Sequence, residues 1–322
     1  MAKFTGSRVD LGIGKETVRG TAVAPGYWLR PSEVTLDEKI TQSVDESSRN
    51  LIEDSIDIQL VERFAEGTFT LPVRDKSFGL LMLALMGAVN DTTVESGVYD
   101  HAFTVQQSNQ HQSLTVHFKD QNAEKDYALS MLTEMEFAVE LQKHAIAKFG
   151  FRSKTGASQV RSASYVAENI FLPTMGDIRF ATNLSGLGAA TPIKVRKVTF
   201  KVTKNAEDDR ALGSADPQDI LNRMFQAEGE IELVYDDQTY VTNLLNNTTQ
   251  ALRIDFTNTN VTIGAASNPR IRFELAKALL QDVSRKFVKG DVVVQTLKFK
   301  GFYSESDSSL LNTTVRNTVA SY

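Results

Sequence analysis

The chain has no cysteine among its 322 residues, so disulfides, thiolate metal sites and a cysteine nucleophile are excluded. It has one tryptophan, Trp28, which leaves little for the aromatic platforms on which sugars stack. Long hydrophobic runs are missing. The longest, Phe78 to Val89, falls short of the roughly 18 residues a membrane helix needs. Residues 1 to 20 carry Lys3, Arg8, Asp10, Lys15, Glu16 and Arg19 and no apolar centre, unlike a signal peptide. The expectation is a product made in the cytosol, soluble at first and without membrane contact. Excess positive charge is absent as well: the net charge is −5, without the basic footprint of a nucleic-acid binder.

Reactive constellations are equally scarce. His101, His111, His117 and His144 are scattered, with no i, i+4 metal pair, and a structural or surface role is expected of them. Gly12-Ile13-Gly14-Lys15-Glu16-Thr17 lacks the upstream glycine of a phosphate loop, because position 9 is Val9. Asp208-Asp209 and Asp236-Asp237 are adjacent acids, which point to opposite faces of a strand and need a turn to share a cation. No Gly-x-Ser-x-Gly elbow occurs. The expectation is a protein that is not an enzyme, with no catalytic residue, metal or cofactor.

What the chain does have is a repeat. Ala65-Glu66-Gly67 and Ala227-Glu228-Gly229 each open a strand-like stretch, 162 residues apart when 67 is set against 229. Val34-Thr35-Leu36 matches Val198-Thr199-Phe200. Gln112-Ser113-Leu114, Val116 and Phe118 match Gln250-Ala251-Leu252, Ile254 and Phe256. Lys148 to Phe151 matches Lys298 to Phe302. A duplicated unit explains matches that keep their order while loop lengths vary.

Alternation dominates within each unit. Phe69, Leu71 and Val73 share one strand face, and Met135, Phe137, Val139 and Leu141 share another, opposite Glu134, Glu136 and Glu140. Phe78, Leu81, Met82 and Leu85 take helical spacing, with Asp75 or Ser77 as cap and Gly87 as stop. The predicted class is mainly β: two tandem β-sandwich or barrel domains, each with one short flanking helix, at Ser77–Met86 and Thr239–Leu245. The expected division is an arm at 1–27, a domain at 28–155, a linker at 156–171, a domain at 172–306 and a tail at 307–322. Residues 37–57 and 204–219 read as polar, unpatterned loops.

Leu11-Gly12-Ile13-Gly14-Lys15-Glu16-Thr17 with Gly20-Thr21-Ala22 and Pro25, the two Glu-Gly strand openings, and Asp291 to Phe299 followed by Gly301-Phe302-Tyr303 together resemble the tail tube (major tail) proteins of long-tailed bacteriophages. The likeness covers nearly the whole chain. It implies a structural virion protein of the tail, made in the host bacterial cytoplasm, whose copies form rings that stack into a hollow tube conducting DNA. The duplication resembles the fused variant, in which three chains supply six domains; six chains per ring is the alternative. The resemblance also implies a tape-measure protein, a tail terminator and distal tail or baseplate proteins as partners, with DNA passing through without specific binding. Glu134, Glu136, Glu140, Glu230 and Glu232 are the candidates for an acidic lumen wall. Lys15, Glu16, Glu38, Lys39, Asp45 and Arg49 are the candidates for contacts between rings. The competing reading is a carbohydrate-binding β-sandwich of a surface or adhesion protein.

Overall fold

The computed structural model describes residues 3, 5–48, 50, 52–55 and 57–322. The first half contains β1 (Asp10–Lys15), β2 (Tyr27–Leu29), β3 (Glu33–Asp45), β4 (Asp57–Pro72), helix α1 (Ser77–Met86), β5 (Gly87–Glu95), β6 (Val98–Val105), β7 (Leu114–Lys119), β8 (Glu124–Glu140), β9 (Ile146–Ser153) and β10 (Ala157–Ser158). The second contains β11 (Gly176–Ala181), β12 (Val195–Thr203), β13 (Glu207–Asp209), β14 (Asp219–Leu221), β15 (Gln226–Val234), helix α2 (Thr239–Leu245), β16 (Thr249–Thr257), β17 (Arg270–Lys286), β18 (Val294–Phe302) and β19 (Leu311–Asn317). The protein is mainly β, with antiparallel sheets and two short helices.

Both halves run one strand order. β1-β7-β8-β9-β4-β3 are hydrogen-bonded neighbours in the first, and β11-β16-β17-β18-β15-β12 in the second. α1 follows β4 as α2 follows β15. The two long strands carry a one-residue bulge at matching places, between Leu132 and Glu134 in β8 and between Leu280 and Asp282 in β17.

The repeated glycine has a steric cause. Gly67 lies between Leu36 and Phe151 in register, and Gly229 between Phe200 and Phe299. A Cβ on Gly67 would stand 2.3 Å from the Thr35 carbonyl oxygen, and one on Gly229 would stand 2.4 Å from that of Thr199 and 2.5 Å from the Phe299 ring. Register also corrects two sequence matches. Phe299 corresponds to Phe151, not Phe149, and Leu252 to Val116, not Leu114. A slip of two residues leaves every side chain on its own face, so alternation alone does not detect it.

The halves join where Glu134–Glu140 of β8 pairs with β12. One eight-stranded sheet results, in the order β3-β4-β9-β8-β12-β15-β18-β17. The N-terminal parts of β8 and β17 leave this sheet for a second layer, where they pair with β7 and β16. The β5–β6 hairpin has no counterpart in the second half; β6 pairs with β19, which pairs with β17.

The two halves share a core. Buried side chains of both halves form one continuous cluster. Phe137 of the first half packs on Phe256 and Phe273 of the second, with ring centroids 5.4 and 5.2 Å apart. α1 lies inside this core with all ten residues buried, so its apolar residues go all round rather than forming one stripe. Neither Asp75 nor Ser77 caps it by its side chain. Glu168 does, accepting the Ser77 amide at 2.6 Å, while Asp75 accepts the Asn169 backbone and side-chain N–H groups at 2.9 and 2.7 Å. Gly87 ends the helix in the left-handed region at φ 92°.

Three segments expected to be loose are tied down. In the stretch 1–27, β1 pairs with both β2 and β7 and buries Leu11 and Ile13. The stretch 156–171 is a strap: Arg161 pairs with Asp126 at 2.7 Å, Tyr165 donates to Asp10 at 2.8 Å and Phe171 is fully buried. The stretch 307–322 contributes β19, and the Tyr322 hydroxyl donates to the Lys76 carbonyl at 2.5 Å. Each has too few apolar residues to show a period, yet each adds a strand or an anchor to a core that already exists.

Candidate lumen face and assembly surface

The eight-stranded sheet has two unlike faces. Met135, Phe137 and Val139 of β8, Val198, Phe200 and Val202 of β12, and Leu297 and Phe299 of β18 point into the core. The alternate residues carry charge. Strand pairing brings all five candidate glutamates, Glu134, Glu136, Glu140, Glu230 and Glu232, onto this one polar face. They do not form an acidic wall. Lys148, Glu136, Lys201, Glu228 and Lys300 stand side by side on β9, β8, β12, β15 and β18, and Glu140, Lys197 and Glu232 form a second alternating row.

Lys197 and Lys201 reach Glu140 and Glu134 at 2.9 Å each. Hydrogen bonds from Lys143 and Lys197 pull the Glu140 carboxyl down to about 2. The bond to Glu140 raises Lys197, and a separate bond to Glu134 raises Lys201. Sequence pattern showed the glutamate rows but not which lysines stand next to them, because neighbours in a sheet are distant in the chain.

The segment 37–57 is not unpatterned throughout: residues 37–45 belong to β3, which pairs with β4 from Glu33–Thr70 out to Asp45–Asp57 to make a long two-stranded ribbon. Its polar residues hid the alternation because both faces of its outer part are exposed. Ile40, Val44, Ile58, Leu60 and Val61 are 45–57 % exposed on it, an apolar surface without an intrachain partner among the described residues. The counterpart segment 204–219 is shorter and folds back on the first half: Arg63 pairs with Asp216 at 2.6 Å, and Arg152 Nε with Asp208 at 2.6 Å.

The candidates for ring contacts part company. Glu16 is 3 % exposed and accepts from Ser113, Thr115, Gly20 N–H and Leu129 N–H, so it is an internal anchor rather than a contact between rings. Lys15 donates to the carbonyl of Tyr322 at 2.8 Å. Glu38, Lys39 and Asp45 lie exposed on β3, where Glu38 accepts from Lys125 at 2.9 Å and Lys39 pairs with Glu66. Arg49 lies outside the described residues.

A family model described as phage tail tube protein matches residues 6–301. The chain belongs to the phage tail tube family. No curated protein matches it significantly. The match makes it a structural protein of the virion tail, which the resemblance of its β1 segment and Glu-Gly openings implied, and gives the carbohydrate-binding reading no support. No helix among the described residues is long and apolar enough to cross a membrane.

Three of the four histidines of this tail tube protein, His101, His111 and His117, are buried in its packing. His101 is buried between Asp91 (2.6 Å) and Asn317 (3.1 Å), and His117 between Asp126 (2.6 Å) and the Trp28 ring. His111 is 3 % exposed beside the carbonyls of Gln106 and Leu85; burial, then Lys204 nearby, lowers its pKa to about 4. His144 lies exposed at the turn after β8. The segment Gly12–Thr17 is mostly the strand β1, not a phosphate loop. Asp208 is held by Arg152 and Arg210, and Asp237 accepts the Thr239 amide at the start of α2. Sequence reading missed Lys204. It is fully buried, donates to the Ala84 carbonyl in the last turn of α1 at 2.9 Å, and burial drives its pKa well down.

Proposed function

We propose that this tail tube protein assembles as rings of three chains, which stack into a hollow tube that conducts DNA. Two tube-like domains, 28–155 and 172–306, give each ring six, with β1 and β19 built into them. The observation that carries this reading is the shared strand order of the halves and their fusion into one eight-stranded sheet with one charged face. The core occupies the other face, so only the charged face is free to line a water-filled channel. Lysines interleaved with the glutamates keep the wall's local field low. A phosphate backbone then finds neither a basic track to bind by counterion release nor a uniform acidic barrier.

The β3–β4 hairpin is the reach between rings. Its length and exposed apolar residues suit a surface that is covered on stacking, and a two-stranded ribbon alone is marginal in water. Tape-measure, terminator and distal tail proteins are the partners this role requires. Electron cryomicroscopy of the purified assembly tests the reading by counting chains per ring. Three supports it, six replaces the pseudo-sixfold ring with a larger one, and monodisperse monomers under all assembly conditions overturn the tube.

A further inference from the structure

β19 lies between two strands that come from different halves. Asn312–Asn317 pairs with Thr104–Tyr99 of β6, and Leu311–Arg316 with Leu275–Arg270 of β17, antiparallel on both sides. Its backbone is therefore paired along both edges, while its buried side chains are modest. Leu311, Thr313, Val315 and Asn317 point inward, and only Leu311 and Val315 of these are apolar. Thr313 Oγ1 is buried without a hydrogen-bond partner among the described residues. The repeat does not require a long strand at this place: β10 takes the matching place on β8 with two residues only.

Two pegs hold the far end. Asn317 Nδ2 donates to the Asp75 carbonyl at 2.7 Å and to the Tyr322 hydroxyl at 2.6 Å, and Asn317 Oδ1 accepts the Val319 amide at 2.8 Å. The Tyr322 hydroxyl in turn donates to the Lys76 carbonyl just ahead of α1. The Tyr322 ring stands edge-on to His101, with centroids 4.6 Å apart. It fills the space that Gly79 leaves open on α1, where a Cβ would lie 2.2 Å from the ring. Arg316 fixes the register through two bonds of 2.7 Å to Asp100, directly across the ladder. Residues 305–308, which lead into the strand, form an exposed turn.

We propose that the channel between β6 and β17, with the slot beside Gly79, is a peptide-binding site, and that residues 311–322 occupy it as a detachable closing strand. Main-chain hydrogen bonds to two edges supply the affinity, and Arg316, Asn317 and Tyr322 supply the selectivity, as in other cases of strand addition. The ligand class is an extended peptide with small or apolar side chains at alternate positions, an amide where Asn317 lies and a phenol where Tyr322 lies. Release leaves the flanking ladders intact, β16 still on β17 and β5 still on β6, so the strand can leave without global unfolding. The N-terminal part of β17 belongs to the second layer, so the seat is independent of the tube reading.

Two measurements test the site. In the full-length chain, native-state hydrogen exchange in low denaturant should show the amides of Leu311–Asn317 opening together, before those of the β8–β12 seam. Protection equal to that of the seam overturns the proposal. In a second protein, a protease recognition sequence replaces Glu305–Ser308. After cleavage the complex should stay whole on gel filtration, and a labelled synthetic peptide of residues 309–322 should displace the resident strand, one per chain. T313V in the resident strand should slow this exchange about tenfold, because it removes a buried hydroxyl that has no partner. Peptides with N317A or Y322A should compete at least about tenfold more weakly. A complex that unfolds on cleavage, that never exchanges, or that takes up a scrambled peptide equally well overturns the site.

Discussion

Lys201 of β12 extends its ammonium to within 2.9 Å of the Glu134 carboxylate on β8, across the pair of strands that joins the two halves of the chain. Both side chains are more than a third exposed, so the pair itself contributes only about 0.2–1 kcal/mol. Its significance is positional: lysines flank the glutamates all along the charged face, and reversing the glutamates sets like charges side by side.

The triple variant E134K/E136K/E140K is therefore expected to lose stability before it affects DNA passage. It places new lysines against Lys148, Lys197 and Lys201, at roughly 0.2–1 kcal/mol per like-charged pair. Denaturant titration should show a lower midpoint that recovers in high salt. The neutral triple E134Q/E136Q/E140Q should keep the midpoint within about 1 kcal/mol, and is the variant with which to measure ejection. A lysine triple as stable as the parent would show that these rows are not in contact.

The glycines opposite Phe151 and Phe299 should be equally intolerant of a methyl group. G67A and G229A each drive a Cβ into a backbone carbonyl oxygen of the adjacent strand, which is held by the ladder and has nowhere to go. Each should cost about 1–3 kcal/mol by the measure of overpacked cores. An alanine at Gly188, where a Cβ meets nothing within 4 Å, serves as control. Tolerance at either glycine would remove the steric explanation of the repeated Glu-Gly.

This explanation also marks how much was legible in the sequence. Gly67 and Gly229 repeat because their backbone contacts repeat, and the alternation of β8 and β15 exposed the polar face. Register was not legible, since Phe149 and Phe151 have the same facing. The partners of Glu136 were not legible either, because Lys148 and Lys201 lie on strands remote in the chain. Residues 307–322 looked like a tail because Thr and Asn alternate with few apolar groups. Yet Leu311, Thr313 and Val315 are buried between β17 and β6. Polar composition does not reveal a strand whose neighbours supply the core.

His111 should make stability fall on mild acidification. Its unfolded value is near 6.5 and its folded value is lowered to about 4, so between these the unfolded chain binds the extra proton. The contribution is fully present above pH 6.5 and is lost as pH falls towards 4, amounting to about 3 kcal/mol at most. Unfolding free energies at pH 7.5 and 5.0 should differ more for the parent than for H111Q, whatever the latter loses in packing. Equal pH dependence in the two proteins would remove His111 as the cause.

Shortening the β3–β4 hairpin should separate ring formation from stacking. Ser43 faces Gln59 in register, so residues 44–58 can be replaced by Asn-Gly, a pair suited to a two-residue turn between antiparallel strands. The change leaves Glu33–Lys39 in place and removes the exposed Val44, Ile52 and Ile58. None of the three is buried against the core, so the thermal midpoint should stay within a few degrees of the parent's. Negative-stain images should then show single rings in place of tubes if the outer hairpin bridges rings, because its reach is shortened and Val44, Ile52 and Ile58 are gone, while Ile40, Leu60 and Val61 stay on the shortened ribbon. Full-length tubes from this variant would exclude the hairpin from stacking. Unfolded protein would show instead that the outer hairpin supports the chain's own core, against its exposure on both faces.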